Sequence, residues 1–312
     1  MTKVETAPAP PTSRRRRPRS LAQREGMLGW LFSAPALLVV VVLVLFPIAW
    51  NLALSFQELR LIELRNVNLF SLDISLRNYQ RVIGADFPGL LLNTLIYALG
   101  GTSLAILLGL WAALVLRPAF RGRALLRGLI LFPYVVPVVA AALLWRTMLN
   151  PQLGIISVGV SRLFGTGPLD PLLERGTAMG MVVLFEAWRS FPFAFLFIIA
   201  RLQAIPKELE EAARVDGAST LKRYWYVVLP QLKSTFAVLF LLRFIWTFNA
   251  FDEIYLLTGG SAGTEVLSVQ VYEWLFGRSD IGAAAALSIV LALTLAIALI
   301  LYFRFFYREE EV

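Results

Sequence analysis

The chain has 312 residues, 58% of them hydrophobic, with a formal net charge of +8 and a mean hydropathy of +0.70. It contains no cysteine and no histidine, which excludes disulfides, thiolate nucleophiles, haem-thiolate sites and histidine-ligated metals within this polypeptide. Its apolar runs are long enough to cross a bilayer as helices, and the short alternating segments of a barrel are missing, so it reads as an all-α integral membrane protein whose positive charge reports topology.

Residues Met1 to Arg24 are rich in proline, alanine, threonine and arginine and read as a disordered, basic cytoplasmic tail. The run Arg14-Arg15-Arg16-Arg17 fits retention of that tail beside anionic lipid better than a nucleic-acid patch. The apolar run that follows is too long for a cleaved signal peptide and lacks a small-x-small cleavage site. Six transmembrane helices are expected: Met27 to Leu54, Leu90 to Leu116, Gly128 to Leu149, Ala178 to Ala200, Thr235 to Leu257, and Ile281 to Phe303. This divides the chain into the tail (1–24), a first transmembrane helix (25–55), an extracytoplasmic loop (56–89), a transmembrane core (90–303) and a cytoplasmic C-terminus (304–312). The first span, with Pro35 and Pro47, reads as peripheral to a five-span core. No internal repeat is evident, which counts against inverted-repeat transporter architectures.

Six spans place both termini on one side, and the basic residues decide which. The tail, the loops after the second and fourth spans and the C-terminus together hold nineteen, including Arg117, Arg121, Arg123, Arg127, Arg201, Lys207, Arg214, Lys222, Arg223, Lys233, Arg304 and Arg308. The opposite loops hold seven: Arg60, Arg65, Arg77, Arg81, Arg162, Arg175 and Arg278. The positive-inside rule puts both termini and the loop 202–233 in the cytoplasm.

Within the third span, Pro133 and Pro137 interrupt the helix, as Pro192 does the fourth. Trp145 and Arg146 fall at the outer end of the third and read as interface anchors. Glu186 and Arg189 lie three apart in the fourth span and can share a face and pair. Arg243 lies in the inner part of the fifth, with Asn249, Asp252 and Glu253 further out. Ionisable residues at bilayer depth face a cavity or a partner. The aromatics Trp188, Phe191, Trp246, Phe248, Phe251 and Tyr255 accompany them, and aromatic faces beside amides and carboxylates suit sugars. Two readings stand: a structural ion pair with packed rings, or a solute pathway through Glu186, Trp188, Arg189, Asn249, Asp252 and Tyr255, in which Asn249, Asp252 and Tyr255 share one helix-face region. In the sixth span the small run Gly282 to Ala286 permits close helix contact.

The loop 202–233 has its own logic. Pro206 suits the first turn of a helix, Glu208, Glu210 and Glu211 lie where the helix dipole favours carboxylates, and Glu210 can pair with Arg214 four residues on. Gly217 can end the helix in a left-handed conformation, Ser219 or Thr220 can cap a second helix, and Leu229-Pro230 stops it before the fifth span. The segment is either a solvated helix–turn–helix link or a docking helix with a low-bulk face at Ala212 and Ala213 and a carboxylate for a basic partner.

The pattern Glu211-Ala212-Ala213, Asp216-Gly217-Ala218-Ser219 and Val228-Leu229-Pro230 resembles the EAA loop of binding-protein-dependent ABC importer permeases. Leu202-x-x-Ile205-Pro206-x-Glu208-Leu209 fits the same pattern. The stretch from Phe248-Asn249 through Phe251-Asp252 to Leu257-Thr258-Gly259-Gly260 resembles the carbohydrate branch, like the maltose and glycerol-phosphate permeases. Asn78-Tyr79, Asn93-Thr94, Phe132-Pro133 and Pro137 also match. The resemblance covers roughly Leu28 to the C-terminus; the basic tail lies outside it. It implies the fold of a type I ABC importer transmembrane domain and a bacterial cytoplasmic (inner) membrane location. It further implies that Glu208, Glu211, Ala212, Ala213, Asp216 and Gly217 couple to a cytoplasmic ATPase, with Glu211 meeting a basic residue there.

The implied partners are two ABC ATPase subunits, a second and different permease chain and an extracytoplasmic solute-binding protein, in a lipid bilayer and without nucleic acid. The chain has no Gly-x-x-x-x-Gly-Lys-Ser/Thr run, so ATP hydrolysis belongs to the partner. No catalytic residue, metal or cofactor is expected. The alternatives are an ion-coupled secondary transporter or channel using Glu186 and Asp252 as a relay, and a membrane-embedded enzyme using Glu186, Asp252 or Glu253 as acid or base.

Overall fold

The computed structural model describes residues 21–63, 74–84, 86–165, 167 and 169–306, with side chains at 21–29, 31, 305 and 306 outside the description. The basic tail up to residue 20, Arg65 and Arg308 therefore lie outside the described residues. Among the described residues there is no β-strand, only an isolated bridge between Arg60 and Asp280. The chain divides into two units, one ending at Asn51 and the other beginning at Leu52.

The first unit is helix α1 (Leu21–Val40), continuing through a π-helical turn (Val41–Leu45) into α2 (Phe46–Ser55), which crosses the division. The helix already runs at Leu21, so residues 21–24 are helix and not tail. Every described side chain from Phe32 to Ala49 is exposed.

The second unit contains α3 (Arg77–Val82) and α4 (Phe87–Val115). It continues with α5 (Arg123–Ile130), α6 (Phe132–Val135), α7 (Val138–Met148) and α8 (Ile155–Phe164). Next come α9 (Ala178–Ala204), α10 (Lys207–Val215) and α11 (Thr220–Arg223). A π-helical turn (Tyr224–Val228) leads to α12 (Leu229–Gln231), followed by α13 (Lys233–Phe248) and α14 (Asp252–Thr258). Last are α15 (Leu267–Tyr272) and α16 (Ile281–Phe306).

Among the described residues four helical stretches are long and apolar enough to span: Phe32–Ser55, Phe87–Val115, Ala178–Ala204 and Ile281–Arg304. Two bent pairs raise the number to six, Arg123–Val135 with Val138–Met148 at 96° and Thr220–Gln231 with Lys233–Phe248 at 62°. The expected third span is thus two limbs meeting at Val136-Pro137, because Pro137 has no N–H to continue the helix and extends the residue before it. The expected fifth span is also corrected. It ends at Phe248, residues 249–251 are non-helical, and α14 starts afresh at Asp252. Leu229-Pro230 does not stop the preceding helix. Pro230 sits in the first turn of α12, where a missing N–H is tolerated, and the bend falls at Leu232.

The core of the second unit is the packing of α4 on α9. The buried face of α4 is built from small residues at helical spacing: Ala98, Gly101, Thr102, Ala105, Gly109, Ala112 and Ala113. A Cβ on Gly109 would lie 2.7 Å from the Ala194 Cβ and 2.8 Å from the Phe195 backbone nitrogen, so the two backbones pass where only glycine fits. Around this seam Phe195, Ile198, Leu202, Val228, Leu232 and Leu239 form one apolar cluster. Tyr97, Val182, Phe185, Ile254 and Leu257 form another.

The start of α16 sits in a polar knot. Asp280 accepts from the Ala283 N–H at 2.9 Å and from Arg81 Nη1 at 2.7 Å. Asn78, fully buried, donates to the carbonyls of Ser55 (3.0 Å) and Gln57 (2.8 Å). A Cβ at Gly282 would collide with the Gln57 carbonyl and stand 2.6 Å from Asn78 Nδ2. The small run from Gly282 thus serves close approach, with Ala283 to Ala286 buried behind it.

Candidate functional site: a polar cavity and an exposed helix

Two places in the second unit concentrate chemistry. The first is a cavity of about 370 Å³ lined by Glu186 and Arg189 from α9, Arg243, Trp246 and Thr247 from α13, Asn249 to Phe251 from the break, and Asp252 and Glu253 from α14. Glu186 is 1% exposed and Arg243 6%. Burial of that depth is sustained only with charge partners and hydrogen bonds, and these are present. Glu186 Oε1 accepts from the Arg243 guanidinium, from Ser190 Oγ at 2.9 Å and from Thr247 Oγ1 at 3.0 Å. Arg243 also donates to Ser190 Oγ and, at 3.3 Å, to Thr247 Oγ1. Its guanidinium lies 5.7 Å from the Trp246 ring centre. Arg189 Nη2 donates to Glu253 Oε1 at 2.6 Å.

The expected Glu186–Arg189 pair is therefore not made. Glu186 pairs with Arg243 and Arg189 with Glu253, because each side chain finds a partner on a neighbouring element that local spacing does not reveal. Gly101 of α4 makes room for Glu186: a Cβ there would be 2.8 Å from the Glu186 Cγ.

Of the six expected pathway residues, four line the cavity: Glu186, Arg189, Asn249 and Asp252. Trp188 does not; its ring packs 5.5 Å from Trp145 and 6.1 Å from Phe185. Trp145 accordingly belongs to this aromatic cluster, and Arg146 donates to the Leu256 carbonyl at 3.4 Å. Tyr255 is also outside the lining; it stacks on Phe251 at 4.9 Å and lies 4.8 Å from Tyr272. Asn249 does not share a helix with Asp252 and Tyr255, since the break separates them, and its amide donates back to the Ile245 carbonyl at 2.8 Å. The sequence reading did not place Thr247, Phe251 and Glu253 on the cavity wall. Glu253 and Phe251 stand out in the sequence as an ionisable and an aromatic residue at this depth, whereas Thr247 has only its closeness to Asn249.

The second place is α10. Pro206 is its N-cap, one residue outside the helix. Its end is a complete Schellman motif: Ala218 N–H to the Ala213 carbonyl (2.9 Å), Gly217 N–H to the Arg214 carbonyl (3.1 Å), and Gly217 at φ +78°. Ser219 then caps α11, accepting from Lys222 N–H at 3.4 Å. Glu208, Glu211, Ala212, Asp216 and Gly217 are exposed, while Ala213 is half-buried. Leu209, Leu221, Trp225 and Tyr226 are exposed around them, and Val215 is 88% exposed. Lys207, Arg214 and Lys222 are exposed beside them, so the surface mixes apolar, acidic and basic side chains. Glu210 departs from expectation: it pairs with Arg117 beyond the end of α4, not with Arg214.

The chain is similar to three transport permeases along most of its length. The trehalose/maltose transport system permease protein MalF of Thermococcus litoralis is 34% identical over 274 residues, 86% of this chain and 90% of that one. The inner membrane ABC transporter permease protein YcjO of Escherichia coli is 36% identical over 84% of this chain and 88% of its own length. The sn-glycerol-3-phosphate transport system permease protein UgpA of Brucella suis is 33% identical over 92% and 96%. The fold matches a chain of a bacterial ABC transporter involved in import of the acidic polysaccharide alginate, with a TM-score of 0.74 at 19% identity over 91% of this chain and 96% of that one. Residues 105–308, which include both the cavity and α10, match the inner membrane component of binding-protein-dependent transport systems, and the chain belongs to that family of integral membrane permeases.

Proposed function

We propose that this chain is one permease subunit of an ATP-driven importer of a neutral saccharide, assembled with a second permease, two ATPase subunits and an extracytoplasmic solute-binding protein. Hydrolysis of ATP belongs to the partner ATPases. Both termini and the loop 202–233 face the cytoplasm on this reading, which the distribution of basic residues supports. The observation that carries the reading is α10. It is a nine-residue helix with no buried residue, ended by a left-handed glycine and surrounded by exposed Leu209, Val215, Trp225 and Tyr226. On this reading Glu208, Glu211, Ala212, Ala213, Asp216 and Gly217 form the ATPase-docking surface, with Glu211 available to a basic residue of the partner.

The solute path runs along the cavity, with Glu186, Arg189, Asn249 and Asp252 on its wall, Tyr255 stacked on Phe251 of the lining, and Trp188 outside it. Both arginines of the lining are engaged by glutamates. An anionic phosphate would therefore meet no unengaged cation among the described lining residues, whereas hydroxyls can bond Asn249 and Asp252 and a pyranose face can stack on Trp246 or Phe251. The test is ATP hydrolysis by the reconstituted complex with its binding protein, scanned over trehalose, maltose and glycerol 3-phosphate. A neutral sugar is expected to stimulate it. Solute uptake without ATP by liposomes holding only this chain would instead favour an ion-coupled carrier.

A further inference from the structure

Helix α10 follows α9 after the extended pair Ile205-Pro206 and leads through residues 216–232 into α13, but its tie to α4 is made by a side chain. Arg117 lies two residues beyond the end of α4. Its Nη2 donates to Glu210 of α10 and, at 3.4 Å, to the carbonyl of Leu202 in the last turn of α9. The Arg117 and Glu210 side chains are 18% and 19% exposed, so the pair is shielded from the solvent that weakens surface ion pairs. The Arg117 backbone is fixed from its other side. Arg123 donates to the carbonyls of Arg117 (3.1 Å) and Pro118 (3.3 Å), and Arg127 donates to that of Leu116 (3.0 Å).

One guanidinium thus links the ends of α4 and α9 with α10, a task suited to the several directed donors of arginine and not to the point charge of lysine. Adjacent residues on a helix do not face each other, so Glu210 turns inward to Arg117 while Glu211 stays exposed. Glu210 also leaves the Arg214 that local spacing offers it.

We infer that Arg117 is a positioning residue that ties the end of α4 to α10, so that the end of α4 and α10 keep their spacing when the docked ATPase moves α10. The inference rests on the docking reading of α10 and adds to it a specific internal strut.

The chain has no cysteine, so spin labels can be placed at Arg121→Cys and Lys207→Cys in the full complex, assembled with cysteine-free ATPases and second permease in lipid nanodiscs. The distance between them is measured by pulsed electron resonance without nucleotide and after trapping with ATP and vanadate. With Arg117 present the distance is expected to stay within about 2 Å between the two states, the scale of a helix shift. In Arg117→Ala and Glu210→Gln it is expected to change or broaden on trapping, and Arg117→Lys, which keeps the charge without the fork of donors, is expected to recover the parent behaviour only in part. ATPase co-purification is expected to persist in all of them. An unchanged distance in both Arg117→Ala and Glu210→Gln overturns the inference, as does a larger shift in the labelled parent. Failure of the parent to retain the ATPase overturns the docking reading itself, which separates the two.

Discussion

Arg189 in α9 and Glu253 in α14 are joined at 2.6 Å across 64 residues of sequence. Beside them Arg243 in α13 closes on Glu186 in α9. The two pairs hold three helices around the break at residues 249–251, so the wall of the cavity joins charge-paired helices to a stretch without regular structure.

The first prediction concerns that charge balance. Removing one member of a buried pair leaves an uncompensated ion, at a cost of about 3–5 kcal/mol. Arg243→Met is therefore expected to lower the thermal stability of the purified protein strongly. Arg243→Met combined with Glu186→Gln is expected to recover much of the loss. Thermal unfolding in detergent checks this; a double variant no better than the single would show that Glu186 does not depend on Arg243.

The second concerns the seam between α4 and α9. Gly109→Ala places a methyl against the backbone of Phe195, which cannot move aside, and is expected to reduce the yield of folded protein. Gly180→Ala in α9 meets nothing within 4 Å and is expected to be neutral or stabilising by about 0.5–1 kcal/mol, the helix preference for alanine over glycine. Detergent-solubilised yield and melting temperature separate the two.

The third tests the docking surface. Glu211→Lys reverses an exposed charge, and Gly217→Leu imposes about 1–2 kcal/mol of left-handed strain on the Schellman turn. Both are expected to abolish ATP-dependent uptake while the chain stays in the membrane. Gly217→Asn, which tolerates that conformation, is expected to retain much of it. Uptake assays paired with membrane immunoblots decide; near-normal uptake in the first two would count against ATPase docking at α10.

The fourth is a pH dependence outside the spans. Burial raises the carboxyl pKa of Glu265, with Glu273 and Asp86 adding to the rise and Arg278 opposing it. A carboxyl raised in the folded state binds its proton more tightly there than in the unfolded chain. Stability therefore falls as pH rises from the ordinary glutamate range through the folded value. Glu265→Gln is expected to melt higher than the parent at neutral pH, with the difference closing as pH drops into and below the ordinary glutamate range. Melting curves across pH test this.

The apolar runs marked the long helices, and local chemistry marked α10. Acidic residues in its first turn and glycine at its end are signals carried within a few residues. The ion pairs were not legible. The spacing of Glu186 and Arg189 offered a local pair, but partners 57 and 64 residues away took its place, and such contacts exist only once helices pack. The break after Phe248 was not read, although Asn249, Asp252 and Glu253 interrupt the apolar run at that point. The small face of α4 could have been found, because Ala98, Gly101, Ala105, Gly109 and Ala112 recur at steps of three and four, the period of one helix face.

The corner at Val136-Pro137 sets a limit on where this subunit can meet lipid. The limb Val138–Met148 has 11 residues and reaches about 16 Å as a helix, well short of a hydrocarbon core of about 30 Å. Proline also deprives the Pro133 carbonyl of its helical donor. Acyl chains cannot supply one. Pro133 is buried and the Tyr134 ring lies 6.1 Å from that of Phe193 in α9, so this elbow turns against the fold of its own chain and not against oil.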